Sequence, residues 1–341
     1  MHVIRFGLDL AKSVFQVHGV VAATGEVVAR KQLRRGQVLR FFAQQPPALI
    51  GMEACGSAHY WARELRKLGH EVRLIPPAYV KPYVKRGKTD ARDAEAICEA
   101  VSRPTMRFVP IKSVEQQCGR AIHKARDLLI RQRTQLGNAM RGLLNEIGII
   151  AAKGEGGLEG LTMRVTSGDP AIPREMLEIL GPLAGQWRAT DDRIAALDKR
   201  IASLARQTPQ ARRLMTIPGV GPIGAHAIVA AIGDGSQFRS GRDFAAWAGL
   251  TRRNFNTGGK LQLTGHISKA GDHALRRLLV LGAASWLRQV KAQPGKGSAW
   301  IRGVMGRRPA RVATVAQAAK TARVAWAMLR SGQDYRVPAA A

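Results

Sequence analysis

Ile122, Leu129, Leu136, Leu143 and Ile150 recur at a strict seven-residue interval, with Met140 and Ile147 flanking the stripe. A second run repeats the interval at Trp187, Ile194 and Ile201, with Leu197 and Leu204 three residues on from the last two. A sustained seven-residue apolar repeat keeps one narrow seam along a helix and does not fit the two-residue period of a sheet. The spacing predicts two long amphipathic helices over residues 113–209, either paired as a coiled-coil hairpin or oligomer interface or packed on their own domain's core. Between them, Lys153-Gly154-Glu155-Gly156-Gly157 and Ser167-Gly168-Asp169-Pro170 read as a loop-rich tip. Such a hairpin divides the 341 residues into three parts, 1–112, 113–209 and 210–341.

The first part reads as α/β. Val3–Asp9, Val14–Val21 and Val27–Leu33 are short β-rich runs separated by Ala11-Lys12-Ser13 and Thr24-Gly25-Glu26. A short helix over Gly36–Gln44, a strand over Ala48–Met52 and a helix from Ser57 to Leu68 follow. Val72–Leu74 is a further strand ended by Pro76-Pro77, and Asp90–Ser102 a further helix. Three meandering strands followed by alternating strands and helices give the order of an RNase H-like fold. The last part reads as mainly helical and punctuated by glycine. Its entry, Ile217-Pro218-Gly219-Val220-Gly221-Pro222 before the apolar helix Ile223–Ile232, resembles a helix-hairpin-helix element. There Gly219 and Gly221 would offer backbone N–H groups to a phosphate.

Charge narrows the class. Fifty-four Lys and Arg against 24 Asp and Glu give a net charge of +30, a field that attracts any polyanion. A hydrophobic content of 45% excludes a disordered basic tail, which could not build a core. Nucleic acid is the expected partner; a basic ribosomal-type protein and a binder of anionic membranes are the other classes that charge alone allows. Residues 273–341 hold 13 basic side chains and one acid, Asp334, a one-signed stretch suited to salt-sensitive phosphate binding. Aromatic residues are only 5%, which favours contact by charge and shape over base stacking. No apolar stretch approaches the length of a membrane span, and no secretory signal is read. Cys55, Cys98 and Cys118 form neither a disulfide framework nor a C-x-x-C pair. The expected setting is the cytoplasm, with no membrane partner.

In so basic a chain the carboxylates in apolar surroundings carry the information. Asp9 ends the first strand, Glu53 follows the strand Ala48–Met52, and Asp90 and Asp93 open a helix on one face. Singly these are turn, cap or dipole residues. Jointly, neighbouring strand ends and a facing helix can converge on one point. Hard oxygen ligands suit Mg²⁺ or Mn²⁺, and two such ions about 4 Å apart stabilise the attacking and leaving oxygens of phosphoryl transfer. Four carboxylates together therefore predict metal dependence. Lys88 and Arg92 flank the acidic helix start, and Arg276, Arg277, Arg307 and Arg308 are candidates for phosphate contact.

The set Asp9, Glu53, Asp90 and Asp93 resembles the DEDD residues of a RuvC-like domain. Thr216–Pro222, Phe244–Thr251, Gly258-Gly259-Lys260, Ile267–Asp272 and Leu275-Arg276-Arg277 match a second signature. With Ala325–Leu329 and Asp334-Tyr335-Arg336, they make the chain resemble, over nearly its whole length, the DEDD transposases of the one-ten insertion-sequence family, described as bridge-RNA-guided recombinases. The resemblance implies a bacterial, nucleoid-associated transposase with three domains: RuvC-like, coiled coil, and a C-terminal transposase domain carrying a serine nucleophile. It implies a homo-tetramer, a dimer of dimers, with a non-coding bridge RNA whose loops pair with donor and target DNA. The serine would attack a DNA phosphate, giving a covalent intermediate and strand exchange through a Holliday junction, and the metal-binding carboxylates would assist from another subunit. Lys260 and Lys269, within the matched motifs, are further candidates for nucleic-acid contact.

The chain departs from the family at one place. The family has Ser-Ser or Ser-Thr before Gly-Gly-Lys, whereas here Asn256-Thr257 precede Gly258-Gly259-Lys260. Thr257 offers a hydroxyl that can serve as an activated nucleophile, although its β-branching restricts χ1. Asn256 in the serine position of an inactivated copy, Ser268 as the nucleophile, and a plain turn at 256–258 are the competing readings. Two other functions stay open on the residues alone. A stand-alone metal-dependent RNase H-like nuclease or junction resolvase needs the carboxylates but no nucleophile, and a non-catalytic nucleic-acid binder needs neither.

Overall fold

The computed structural model describes residues 4–336 apart from Arg86, Lys88, Lys153 and Gly259. The side chains of Glu155, residues 254–257 and residues 260–264 also lie outside the described set. The chain forms two compact units, Met1–Val114 and Glu115–Ala341. No helix among the described residues is long and apolar enough to cross a membrane.

The first unit is a five-stranded mixed sheet with helices on it. In chain order it runs β1 (Ile4–Asp9), β2 (Val14–Val21), β3 (Val27–Arg34), α1 (Val38–Ala43), β4 (Leu49–Glu53), α2 (Ala58–Lys67), β5 (Glu71–Ile75), α3 (Pro77–Val80) and α4 (Asp90–Ala100). The strand order is β3-β2-β1-β4-β5. β1, β2 and β3 pair antiparallel in succession, the three-strand meander expected from the sequence. β4 and β5 then run parallel to β1, as strands returned by crossover helices must. Phe6, Leu8, Phe15, Ile50, Met52 and Leu74 are fully buried on the sheet, with Phe42, Trp61 and Leu65 from α1 and α2 closing over them.

Two glycines set the height of α4 above the sheet. Gly7 in β1 pairs with Gly51 in β4. A Cβ on Gly7 would stand 2.0 Å from the carbonyl oxygen of Ala94 and 2.5 Å from the backbone nitrogen of Cys98. One on Gly51 would stand 2.7 Å from Cβ of Val101. Glycine inside a strand marks such a close approach, and here it lets the helix backbone lie directly on β1.

The second unit comprises α5 (Val114–Asn145), α6 (Glu155–Thr166), α7 (Arg174–Gln207), α8 (Pro209–Leu214), α9 (Pro222–Ile232), α10 (Gly241–Trp247), β6 (Arg252–Thr257), β7 (Lys260–Ile267), α11 (His273–Ala292), α12 (Ala299–Arg307) and α13 (Ala310–Ser331). α5 and α7 form an antiparallel pair in register. Arg126 on α5 meets Asp198 on α7; seven residues forward on one helix and seven back on the other, Arg133 meets Asp191. Further along the pair, Met140 and Leu144 share a core with Leu180, Ala184 and Trp187. Trp187, Ile194 and Ile201 are buried, as the seam expected on the second helix requires.

Three elements differ from the sequence expectation. The seven-residue stripe on α5 runs out before Ile150: the helix ends at Asn145, Gly148 follows with φ +76°, and Ile150 is 80% exposed. The expected loop-rich tip contains α6, whose Leu158, Leu161 and Val165 bury on the α5–α7 pair; the glycines around it hid a three-to-four residue apolar spacing. The mainly helical final part contains a β-hairpin, β6–β7, closed by the pair Thr257–Lys260 around Gly258 at φ +57°. The remaining core of this part gathers α8, α9, α10, α11 and α13 around Leu214, Ile228, Phe244, Leu279 and Ala325.

Candidate functional site

The parallel pairing of β1 with β4 brings their carboxyl ends to one edge of the sheet. Leu8 pairs with Met52, so the next residues, Asp9 and Glu53, stand side by side. α4 enters that edge with its N-terminus. Thr89 caps it, accepting a hydrogen bond from the backbone N–H of Arg92, which leaves Asp90 and Asp93 in the first turn with no capping role. Negative side chains are favoured there by the helix dipole, and Gly7 and Gly51 allow the helix to sit close enough for them to reach the strand end.

Among the described residues, Asp9, Asp90 and Asp93 each offer a carboxylate oxygen within 4.8 Å of the others. Glu53 adjoins them at the end of β4, and its charge acts on Asp9. Burial, then the charges of Asp93, Asp90 and Glu53, push the Asp9 carboxyl up to about 6. Burial and the Glu53 and Asp9 charges likewise push up the Cys55 thiol. The convergence expected from the sequence therefore exists for three carboxylates with a fourth beside them. An all-oxygen, all-anionic donor set of this kind fits a hard divalent cation such as Mg²⁺ or Mn²⁺ and does not suit a soft metal.

The predicted phosphate-contact residues divide sharply. Arg276 is 7% exposed, and its guanidinium donates to the carbonyl oxygens of Ala248 (3.0 Å) and Ala270 (2.6 Å). It is a tie between loops and not a surface cation, which corrects the expectation of phosphate contact. Arg277 is paired with Asp127 of α5, which also holds Arg131. Gly219 adopts φ +82° and lies against Gly282 of α11, where a Cβ would come within 2.6 Å of the Gly282 oxygen; helix packing accounts for it. Gly221 is the N-cap position of α9. Arg92 is exposed and donates to the Gly87 carbonyl oxygen at 2.8 Å, holding the loop before α4. Lys269, exposed, adopts φ +53° between β7 and α11, a left-handed conformation uncommon for a side-chain-bearing residue. Arg307 and Arg308 are exposed at the end of α12 with no ion pair among the described residues. Lys88 lies outside the described residues. Thr257 ends β6 and Lys260 begins β7, but their side chains lie outside the described set.

Sequence reasoning missed Gly7 and Gly51, which position the carboxylates without touching a ligand. The available signal was a glycine at the same place in two apolar strands, Phe6-Gly7-Leu8 and Ile50-Gly51-Met52.

Residues 6–149 match the profile of a transposase family of the DEDD type. Residues 211–297 match one described as Transposase IS116/IS110/IS902 family. The chain is 51% identical over 338 residues to a probable family 20 transposase of Pseudomonas aeruginosa, covering 98% of this chain and 99% of that protein. It is 38% identical over 334 residues to the transposase for insertion sequence element IS1328 of Yersinia enterocolitica, covering 98% and 99%. It is also 28% identical over 226 residues to a pilin gene-inverting protein of Moraxella bovis, covering 63% of this chain and 59% of that protein.

Proposed function

The chain belongs to the IS110/IS116 family of DEDD transposases, and from that premise we propose that it cleaves and rejoins DNA using Asp9, Glu53, Asp90 and Asp93 as a divalent-cation site. The observation that carries this reading is the convergence of Asp9, Asp90 and Asp93 within 4.8 Å. When bound, the ion supplies charge neutralisation at a phosphate and at the leaving oxygen. The carboxylates' task is to hold it rigidly: Asp9 is fixed by the sheet, and Asp90 and Asp93 by a capped helix that rests on backbone. Asp9 stays ionised at neutral pH, where a cation can use it, and gives way to a proton below about pH 6.

The nucleophile in this reading is the Thr257 hydroxyl. Its attack on a DNA phosphate forms one P–O ester and breaks another, and the released DNA hydroxyl takes up the proton. The reverse exchange with a hydroxyl of another strand rejoins the DNA with no external energy source. A relative named for inverting a gene segment supports cleavage coupled to rejoining. The three-part division 1–112, 113–209 and 210–341, a homo-tetramer, and a bridge RNA pairing donor with target DNA complete the proposal. The excess of positive charge, +30, is what a protein gripping both RNA and DNA requires.

The test is a denaturing-gel assay for a protein–DNA adduct with donor DNA and co-purified RNA. The wild type and Thr257→Ser are expected to form the adduct and Thr257→Ala to lose it; an undiminished adduct with Thr257→Ala overturns the nucleophile assignment.

A further inference from the structure

A cavity of about 270 Å³ opens on the first unit, and none of the four carboxylates lines it. Its walls are Tyr79, Pro82, Tyr83, Thr105, Met106 and Arg107. They come from three short pieces of chain: α3, the turn after it, and the segment that leads to Val109, which bridges to Leu74 of β5. These pieces rest on firm ground. Tyr83 and Met106 are half-buried against Ile75, Val80, Ile97 and Val101, so the cavity is preformed. It begins where β5 ends, and β5 pairs with β4 through Ile75 and Glu53.

The lining has a particular chemistry. Two tyrosine rings, a proline and a thioether present flat, polarisable, apolar surfaces. Tyr79 is 42% exposed, a large ring left open to solvent at the mouth of a cavity. One arginine already faces this group: the guanidinium of Arg103 lies over the Tyr83 ring, 5.8 Å from its centre. Arg107 lines the cavity and Lys81 begins the turn that carries Pro82 and Tyr83; both are exposed and have no ion pair among the described residues. Thr105 and Arg107 supply hydrogen-bond groups to something that enters. An open hollow with aromatic and thioether walls and cations beside it suits an aromatic ring joined to an anion. A nucleobase carried on a phosphate backbone has that form.

We propose that this cavity stacks one unpaired nucleobase on Tyr79, with Tyr83 forming a wall and Arg107 and Lys81 meeting the adjacent phosphates. A base inside a duplex is already stacked on both faces and cannot enter, so the ligand is a single-stranded or extruded base. The inference rests on the reading of the chain as an enzyme acting on nucleic acid, but on none of its catalytic residues.

The experiment uses full-length protein with single-stranded DNA and single-stranded RNA oligonucleotides carrying 2-aminopurine, whose fluorescence falls on stacking. Binding is followed by anisotropy, beside a blunt DNA duplex. Tyr79→Ala is expected to weaken single-strand binding by about tenfold and abolish the quenching, and Arg107→Ala to weaken binding alone. Tyr79→Phe restores the wild-type signal, and duplex affinity stays unchanged in all three. The strand showing the larger loss, DNA or RNA, identifies the source of the base. Wild-type quenching and affinity in Tyr79→Ala, or an equal loss on the duplex, overturns the proposal. Asp93→Asn leaves the cavity intact and is expected to quench normally, so failure of the metal reading is read separately.

Discussion

Asp9 at the end of β1 and Asp93 in the first turn of α4 present carboxylate oxygens within 4.8 Å of each other across the edge of the sheet. Burial, with the charges of Asp93, Asp90 and Glu53, holds the Asp9 carboxyl up at about 6. The folded protein therefore binds a proton there more readily than the unfolded chain between roughly pH 4 and 6. Ionised Asp9 opposes folding above pH 6, and the opposition fades as pH falls. Asp9→Asn is expected to raise the Tm of cation-free protein at pH 7.5 by roughly 2–4 °C and to give no gain at pH 4. Excess Mg²⁺ should raise the Tm of the wild type and leave Asp9→Asn unmoved. Thermal unfolding across this pH range, with and without the cation, checks both.

Gly7→Ala tests how the site is held. The added methyl collides with the Ala94 carbonyl and Cys98, so α4 must rise from β1 and carry Asp90 and Asp93 with it. Overpacking of this kind costs about 1–3 kcal/mol. The expected product is a folded but weakened protein whose Mg²⁺-induced rise in Tm is lost along with recombination. Calorimetry with the cation present separates this from simple destabilisation.

Arg276 and the pair Arg307 and Arg308 are expected to behave as opposites. Arg276→Ala removes a buried cation donating to two carbonyl oxygens and should cost about 3 kcal/mol without altering the salt slope of DNA binding. Arg307→Ala or Arg308→Ala should leave stability within about 0.5 kcal/mol and reduce that slope by about 0.9 for each phosphate no longer neutralised. Urea denaturation and a salt titration of duplex binding distinguish the two.

His123 of α5 and His226 of α9 stand 2.9 Å apart, ring nitrogen to ring nitrogen. Burial, reinforced by His226, Arg126 and Arg120, pushes His123 down to about 4, and burial lowers His226 as well. The unfolded chain therefore takes up protons first. The joint's contribution to stability is intact above about pH 6.5 and is lost as pH falls towards 4. His123→Gln should show a smaller fall in urea midpoint between pH 7.5 and pH 5 than the wild type.

The carboxylates were legible because each stands where a pattern breaks: Asp9 and Glu53 at the ends of apolar runs, Asp90 and Asp93 at the start of a helix. The strand meander was legible for the same reason, its turns being marked by Thr24-Gly25-Glu26 and Ala11-Lys12-Ser13. Spacing failed where a local stop overrode it. Ile150 keeps the seven-residue interval, but Gly148 had already ended the helix. The β6–β7 hairpin was missed although Gly258-Gly259 is a hairpin signal and Leu261 and Leu263 alternate after it, because the run Arg252–Thr257 before it has Phe255 as its one apolar residue. Arg276 shows a limit of composition: a cation in a basic chain is counted towards the surface field, and only the fold reveals that its partners are carbonyl oxygens. Gly7 and Gly51 show another, since their role depends on a helix distant in the chain from both strands.

The carboxylate cation site is tested most directly by a plasmid recombination assay comparing the wild type with Asp93→Asn, alongside Mn²⁺ titration of both proteins by calorimetry. Asp93→Asn keeps the size of the side chain and removes one anionic ligand from a site exposed enough to tolerate the change. A cation site built on these carboxylates predicts recombination at background and loss of tight Mn²⁺ binding together, with duplex affinity retained. Recombination by Asp93→Asn at the wild-type level would contradict it.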